Sequence, residues 1–323
     1  MEEKKTNNNS LTKAKSAKKD EFYTQLPDIE RELGHYKNHF KDKVVFCNCD
    51  DPKESNFFKY FALNFKFLGL KKLISTHYNK GQKSYKLEVV EDINNDGVIN
   101  LNDAAKTDLI GDGDFRSDEC IEILKKVDIV VTNPPFSLFR EYVSQLVENK
   151  KKFIVIGSLN AITYKEIFQL IKENELWIGY GFKGGNAYFT TTHKTDEFAP
   201  GVYNKETNLV KFRNVTWYTN IEIAKRNEDI ILYQTYDTTK YPKYDNCDAI
   251  NVNKTKDIPL DYSGAMGVPI SFLNNHNPNQ FEILGLDDHE LEYPNWRGRG
   301  PDINGKAIYR RVIIKNKRFQ NGN

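Results

Sequence analysis

Apolar positions along this chain gather into short β-branched runs, separated by longer stretches with helical spacing. Four runs stand out: Lys43–Asp51 (K-V-V-F-C-N-C-D-D), Lys71–His77 (K-K-L-I-S-T-H), Asp128–Thr132 (D-I-V-V-T) and Lys152–Gly157 (K-F-I-V-I-G). Runs this short, without polar alternation, predict strands buried on both faces, as in a parallel sheet. Helices are predicted over residues 28–40, from Ser55 onward, and over Ser117–Val127, Ser137–Asn149 and Tyr164–Glu173. In Ser137–Asn149, Leu138, Tyr142, Leu146 and Val147 fall on one face. Sustained alternation of strand and helix predicts a doubly wound α/β core. Beyond about Leu176 the pattern changes to Gly, Thr and aromatic residues, which predict short β segments and loops. The expected organisation is a polar arm over 1–19, an α/β domain over 20–175, and a remainder over 176–323. That remainder finishes the core and adds a mostly β and loop region.

Composition narrows the class. At 323 residues and 39% hydrophobic content, the chain can bury one substantial core and a smaller module. A net charge of +2 says little about partners, but its distribution says more. Residues 1–20 carry six Lys, and eight basic residues against one acidic follow from Trp296. Basic ends suit a phosphate backbone, or are simply solvated arms. The low apolar content of residues 1–19 predicts disorder there. The four cysteines, Cys47, Cys49, Cys120 and Cys247, lack paired zinc-ligand spacing. Cys47 and Cys49 are expected on one face of a strand, and all four as reduced, buried thiols. No apolar run approaches the ~18 residues of a membrane span. The N-terminus is too polar for a signal peptide. A soluble cytoplasmic protein with no membrane partner is expected.

The chemistry concentrates at Asp128–Phe136, D-I-V-V-T-N-P-P-F. Pro134 and Pro135 stop the strand, because proline cannot donate to a sheet ladder. Asn133 therefore stands at the carboxyl end of a strand, where open α/β sheets bind their ligands. Its amide carries one acceptor and two donors. Together with the Pro134 carbonyl it can accept both hydrogens of an exocyclic amine, which frees the nitrogen lone pair for attack on an electrophilic methyl. Pro135 fixes the turn, and Phe136 can stack on the ring that carries the amine. A bare strand-end turn would use the same prolines; the aromatic directly after them favours chemistry.

These residues resemble the catalytic motif of S-adenosylmethionine-dependent amino-methyltransferases, in the form typical of adenine-N6 DNA enzymes. Cytosine-N4 enzymes usually carry Ser where Asn133 stands. Together with S-L-F-R-E-Y-V, C-N-C-D-D-P and M-G-V-P-I-S-F-L, the chain resembles the EcoRI-type modification methyltransferases from about Lys15 to Lys317. The resemblance implies a Rossmann-like methyltransferase sheet with a C-terminal target-recognition region. It also implies S-adenosyl-L-methionine as cofactor, double-stranded DNA as partner, and a cognate restriction endonuclease acting in the same system. The order of motifs resembles the gamma arrangement of DNA methyltransferases.

It also implies further site residues, each with a plainer alternative. Phe22, Tyr23 and Thr24 resemble a segment that holds the methionine part of the cofactor; otherwise Thr24 caps a helix and the aromatics pack. Asn48, Asp50 and Asp51 stand at the cofactor-loop position; otherwise Asp50 or Asp51 caps the next helix. The glycine-rich loop usual there is missing, and the second strand ends without the acidic residue that commonly holds a ribose. Asp114 and Phe115, in G-D-G-D-F, resemble the pair that meets the cofactor's adenine; otherwise this is a glycine-rich turn. Trp217 or Tyr218 forms a second wall for a flipped base, or packs in the core. Arg297 and Arg299, in W-R-G-R-G, suit guanine edges or phosphates, or sit in a solvated loop.

One stretch points elsewhere. Asp92–Asp103 (D-I-N-N-D-G-V-I-N-L-N-D) matches the twelve-residue Ca²⁺ loop, with Asp92, Asn94, Asp96, the Val98 carbonyl, Asn100 and Asp103 as ligands and Gly97 at the turn. Asp in place of Glu at the last position shortens the reach. A structural Ca²⁺ or a solvated Asn/Asp turn are both open. The reading as a whole is a site-specific adenine-N6 DNA methyltransferase that flips its target base. The alternatives are an amino-methyltransferase acting on RNA or a protein glutamine, or a non-catalytic DNA-binding relative.

Overall fold

Each β-branched run folds as a strand; the first three are shortened at their polar ends, and the fourth continues to Ser158. The computed structural model describes residues 22–191, 198, 200–286 and 301–319. The arm over 1–19 and the pair Arg297 and Arg299 lie outside the described residues. The chain divides into two compact units. One takes the chain up to Ala161 together with Gly181–Ile221; the other takes Ile162–Tyr180 and the chain from Glu222 on. The boundary expected at 175 thus falls inside the first stretch of the second unit.

In the first unit the order is β1 (Phe22–Thr24), α1 (Leu26–Leu33), β2 (Val44–Cys47), α2 (Asn56–Leu63), α3 (Phe65–Leu68), β3 (Lys72–Thr76), β4 (Tyr85–Val89), β5 (Ala105–Asp108), α4 (Asp118–Lys125), β6 (Ile129–Thr132), α5 (Phe139–Glu148) and β7 (Lys152–Ser158). After α6 (Lys165–Lys172) and β8 (Trp177–Ile178), which belong to the second unit, it resumes with β9 (Asn186–Thr191), β10 (Tyr203–Asn204), β11 (Leu209–Arg213) and β12 (Val215–Thr219). Seven strands of the first unit lie in one sheet in the order β5-β4-β3-β2-β6-β7-β12. β3, β2, β6 and β7 run parallel. β4, β5 and β12 are antiparallel to their neighbours, so the sheet is mixed rather than wholly parallel. Val45, Phe46, Val130, Val131, Ile154 and Val155 are fully buried, as residues covered on both faces must be.

The strand order places the site. The chain leaves β2, forms β3 on one side of it, and later returns as β6 on the other. Such a reversal opens a crevice at the carboxyl ends of the two strands. A second, antiparallel sheet, β1-β9-β11-β10, brings Phe22 against Phe212 with ring centroids 4.8 Å apart. Phe22–Thr24 is therefore a strand, and Thr24 does not cap α1. The cap position is Gln25, and Pro27 lies in the first turn, where its missing N–H costs nothing.

The Ca²⁺ expectation for Asp92–Asp103 is not supported. The oxygens are turned onto the loop's own amides. Asp92 accepts from Asp96 and Gly97 at 3.3 and 2.7 Å, Asn94 from Asp96 at 2.9 Å, and Asp96 from Val98 at 2.8 Å. Asn100 accepts from Asn102 at 2.8 Å, and Asp103 from Ile93 and Asn100 at 3.0 and 2.8 Å. The Lys66 ammonium donates to the Gly97 carbonyl at 2.7 Å, which places a positive charge against the loop. Among the described residues no group of three or more His, Cys, Asp or Glu is placed to hold a metal. Short Asx side chains prefer these local bonds.

In the second unit, β13 (Ala249–Asn251), β14 (Ala265–Pro269), β15 (Phe281–Leu286) and β18 (Arg311–Asn316) pair in the order β13-β14-β18-β15, beside a small ribbon of β16 (Asp302–Ile303) and β17 (Lys306–Ala307). Gly267 on β14 leaves room for the Tyr244 hydroxyl, which would lie 2.2 Å from an added Cβ. No helix among the described residues is long and apolar enough to cross a membrane.

Candidate active site

β6 ends at Thr132, and the prolines carry the chain away from the sheet, which leaves Asn133 at the mouth of the crevice. Asn133 is 7% exposed. Its Nδ2 donates to the Phe22 carbonyl at 2.7 Å, which fixes which end of the amide faces which way. Its Oδ1 is buried and has no hydrogen-bond partner. A buried acceptor left unpaired costs about 1–3 kcal/mol, so it marks a place where a donor belongs. Pro134 is buried, and the Pro135 carbonyl accepts from Leu138 N–H at 2.9 Å, which starts the turn into α5. Phe136 is half-buried, with its ring nearly perpendicular to Phe212 at 6.3 Å.

The loop after β2 forms the facing wall. Asn48 is 4% exposed. Its carbonyl accepts from the Thr132 hydroxyl and its Oδ1 from the Tyr142 hydroxyl, so the two strand ends are tied through one residue. The glycine-rich loop is replaced by Cys49, whose φ of 79° lies in the left-handed region that glycine normally takes. Cys49 is thus in the loop, not on the strand face shared with Cys47. The described cysteines are free thiols. Burial, with Asp50 nearby, pushes the thiols of Cys47 and Cys49 well up and keeps them protonated. Asp50 is buried and accepts from Ser55 Oγ at 3.2 Å; Ser55, not an aspartate, holds the cap position of α2. Asp51 accepts from the Tyr85 hydroxyl at 2.8 Å and the Lys53 amide at 3.0 Å.

The G-D-G-D-F segment closes the crevice from the β3 side. Gly113 has a φ of 79°, and a Cβ there would lie 1.9 Å from the His77 carbonyl, so only glycine fits. Asp114 accepts from the Arg116 side chain at 2.9 and 2.6 Å and from its amide at 2.9 Å. The guanidinium holds the Asp114 carboxyl below its usual range. Phe115 is buried edge-on against Tyr142, with centroids 5.0 Å apart. On β1, Tyr23 is buried, and Thr24 is 1% exposed with an unpartnered Oγ1. Trp217 and Tyr218 are fully buried in the core: Trp217 stacks on Phe182 at 5.6 Å, and Tyr218 donates to the Ser158 carbonyl at 2.8 Å. They are not a second wall for a base.

The structure therefore brings Phe22, Asn48, Thr132 and Asn133 together through hydrogen bonds, and Phe115 joins them through Tyr142. Sequence reading missed Tyr142, Tyr85 and Cys49. Tyr142 shows only as one member of an apolar helical face, and Tyr85 lies 34 residues from the aspartate it meets. The crevice offers acceptors and unpartnered polar atoms of the kind a sulfonium nucleoside with hydroxyl, amine and ammonium groups needs. The Asn133 and Thr24 oxygens in particular lack partners of their own.

Comparison with known proteins agrees. The family described as "Adenine-specific methyltransferase EcoRI" matches residues 10–317. The chain is 47% identical to the type II methyltransferase M.EcoRI of Escherichia coli, over 97% of this chain and 98% of that one. It is 39% identical to the type II methyltransferases M.MgeORF184P of Mycoplasma genitalium and M.MpnI of Mycoplasma pneumoniae, covering 96% and 95% of this chain and 99% and 98% of theirs. No solved structure matches. The chain belongs to the EcoRI family of adenine-specific methyltransferases and is an S-adenosylmethionine-dependent enzyme of that class.

Proposed function

We propose that this protein methylates N6 of one adenine within a short duplex DNA site, and that Asn133 is the residue that receives the amine. The carrying observation is the buried, unpartnered Asn133 Oδ1, aimed by the bond from Nδ2 to Phe22. When bound, S-adenosylmethionine supplies an electrophilic methyl group. Asn133 Oδ1 accepts one amine hydrogen and the Pro134 carbonyl the other, which localises the lone pair on nitrogen. Pro135 holds the direction of that carbonyl, and Phe136 stacks on the base. The rate comes from position and from exclusion of water. A base inside the duplex cannot reach this crevice, so the target is flipped out.

The fold in this reading is a Rossmann-like methyltransferase sheet. Tyr23 and Thr24 meet the methionine part of the cofactor, Asn48, Asp50 and Asp51 line its loop, and Asp114 and Phe115 meet its adenine. The second unit and the basic C-terminal stretch read the DNA sequence, and a restriction endonuclease of the same specificity accompanies the enzyme. The test is expression in a host without DNA methylation, followed by sequencing of that host's modified bases. N6-methyladenine confined to one motif, and absent with Asn133→Ala, is the expected result. Unmodified DNA from soluble, folded protein, or undiminished methylation by Asn133→Ala, would overturn the assignment.

A further inference from the structure

In dinucleotide-type sheets a carboxylate at the end of the second parallel strand takes the ribose hydroxyls. Here that strand, β3, ends at Thr76 and is followed by His77, neither of them acidic. The structure brings a carboxylate to the same place from the neighbouring loop. Asp51 Oδ2 lies 3.6 Å from His77 Nε2, beyond hydrogen-bond reach, so it retains accepting capacity. Asp51 Oδ1 is held by the Tyr85 hydroxyl at 2.8 Å and the Lys53 amide at 3.0 Å. Tyr85 begins β4, which runs back antiparallel along β3, and its carbonyl accepts the His77 amide at 3.0 Å. The rings of His77 and Tyr85 lie 5.2 Å apart. Asp51 is thus fastened to the end of β3 by the strand that follows it, while its side chain stays 23% exposed.

We infer that Asp51, held in place by Tyr85, accepts the ribose hydroxyls of the cofactor in the role left empty at the end of β3. The inference rests on the methyltransferase reading above and adds which part of the cofactor this carboxylate meets. Tyr85 is a positioning residue, since it acts through Asp51. Burial, and then its bond to Asp51, push the Tyr85 phenol up, so it remains a donor throughout the working range. The antiparallel return of β4 carries Tyr85 beside the end of β3, within hydrogen-bond reach of Asp51.

Calorimetry on the full chain tests this with S-adenosylhomocysteine and its 2′-deoxyribose and 3′-deoxyribose counterparts. The wild type is expected to bind at least one deoxy compound about 10- to 100-fold more weakly than the parent, the usual worth of a hydroxyl bound to a charged carboxylate. Asp51→Ala should bind the parent weakly by a similar factor and show almost no further loss with the deoxy compound. Tyr85→Phe keeps the carboxylate but frees it, and should shrink the deoxy penalty partway. A merely structural role for Tyr85 would weaken all the compounds equally. If Asp51→Ala does not fold, the isosteric Asp51→Asn and Tyr85→Phe carry the test. An unchanged deoxy penalty in these variants overturns the ribose assignment and leaves the methyltransferase reading standing. A wild type that binds no S-adenosylhomocysteine at all overturns that reading first.

Discussion

Two asparagines follow the ends of adjacent parallel strands, Asn48 after β2 and Asn133 after β6. Both are buried, at 4% and 7% exposure. Asn48 has its Oδ1 filled by the Tyr142 hydroxyl and its carbonyl filled by Thr132. Asn133 has its nitrogen tied to Phe22, but its Oδ1 has nothing. The same amide thus serves two purposes a few ångströms of sheet apart. Where its bonds are complete it holds the crevice together. Where one acceptor is left open, the fold gives up about 1–3 kcal/mol for a donor that the substrate brings. Other buried atoms also lack partners, among them Thr76 Oγ1 and Trp217 Nε1. Among the described residues only Asn133 combines the open acceptor with a proline-stiffened turn at the switch between two strands.

The strongest break of this comparison is Asn133→Ala. It should lower kcat by about 10²- to 10³-fold, the scale for losing one group that stabilises the reacting centre. S-adenosylhomocysteine affinity should hardly change, and stability should fall only by the single bond from Nδ2 to the Phe22 carbonyl, about 0.5–1.5 kcal/mol, because the lost oxygen has no partner in the fold. A urea-unfolding loss well beyond that one bond, with kcat little changed, would mean that Asn133 is scaffold like Asn48. The mirror experiment is Tyr142→Phe. It leaves the Asn48 oxygen buried and unpaired, and should cost about 1–3 kcal/mol in urea unfolding. An unchanged midpoint would mean that the bond between Tyr142 and Asn48 is not holding the loops.

His276 in the second unit sharpens the point with a group whose satisfaction depends on pH. Its Nε2 lies 3.0 Å from the Phe281 carbonyl, and burial lowers its pKa from the ordinary 6.5 to about 4. The unfolded chain takes up the proton between those values and the folded chain does not. The stability from this group is therefore present above pH 6.5 and lost as pH falls toward 4. At pH 5 the loss should be about 2 kcal/mol, absent in His276→Phe. A urea midpoint as steep in pH for that variant would assign the effect to other groups.

The smallest effect is expected at Cys49. Cys49→Gly relieves the φ of 79°, loses a thiol that is half-buried rather than buried as expected, and gains unfolded-state freedom. The net change should stay within about 1 kcal/mol, with cofactor affinity kept. A large loss of affinity would show that the thiol itself is needed. Because burial raises the Cys47 and Cys49 thiols, the native protein should also react slowly with iodoacetamide at pH 8, and quickly once unfolded.

Much of this molecule is legible one segment at a time. A β-branched run closed by two prolines can hardly be anything but a strand end, so Ile129–Thr132 and the position of Asn133 follow from the chain itself. The parallel strands β2, β3, β6 and β7 follow in the same way, because unbroken apolar runs tolerate burial on both faces. Local rules failed where several partners competed for one polar group. Asp92–Asp103 has a metal loop's spacing, but its oxygens turn to their own amides. The alternative in which Thr24 caps a helix falls, because the pairing of β1 with β9 makes it part of a strand.

What only the tertiary structure decided is who satisfies whom. Phe22 meets Asn133 across 111 positions, and Tyr142 meets Asn48 across 94. Tyr85 reaches Asp51 because an antiparallel strand follows β3, and the loop after β2 turns through a left-handed cysteine where a glycine was expected. The sequence determined which residues end strands, because backbone propensity and apolar patterning act over a few residues. Which of those strand ends keep an open hydrogen bond is set by packing between distant segments, and no local pattern carries that information.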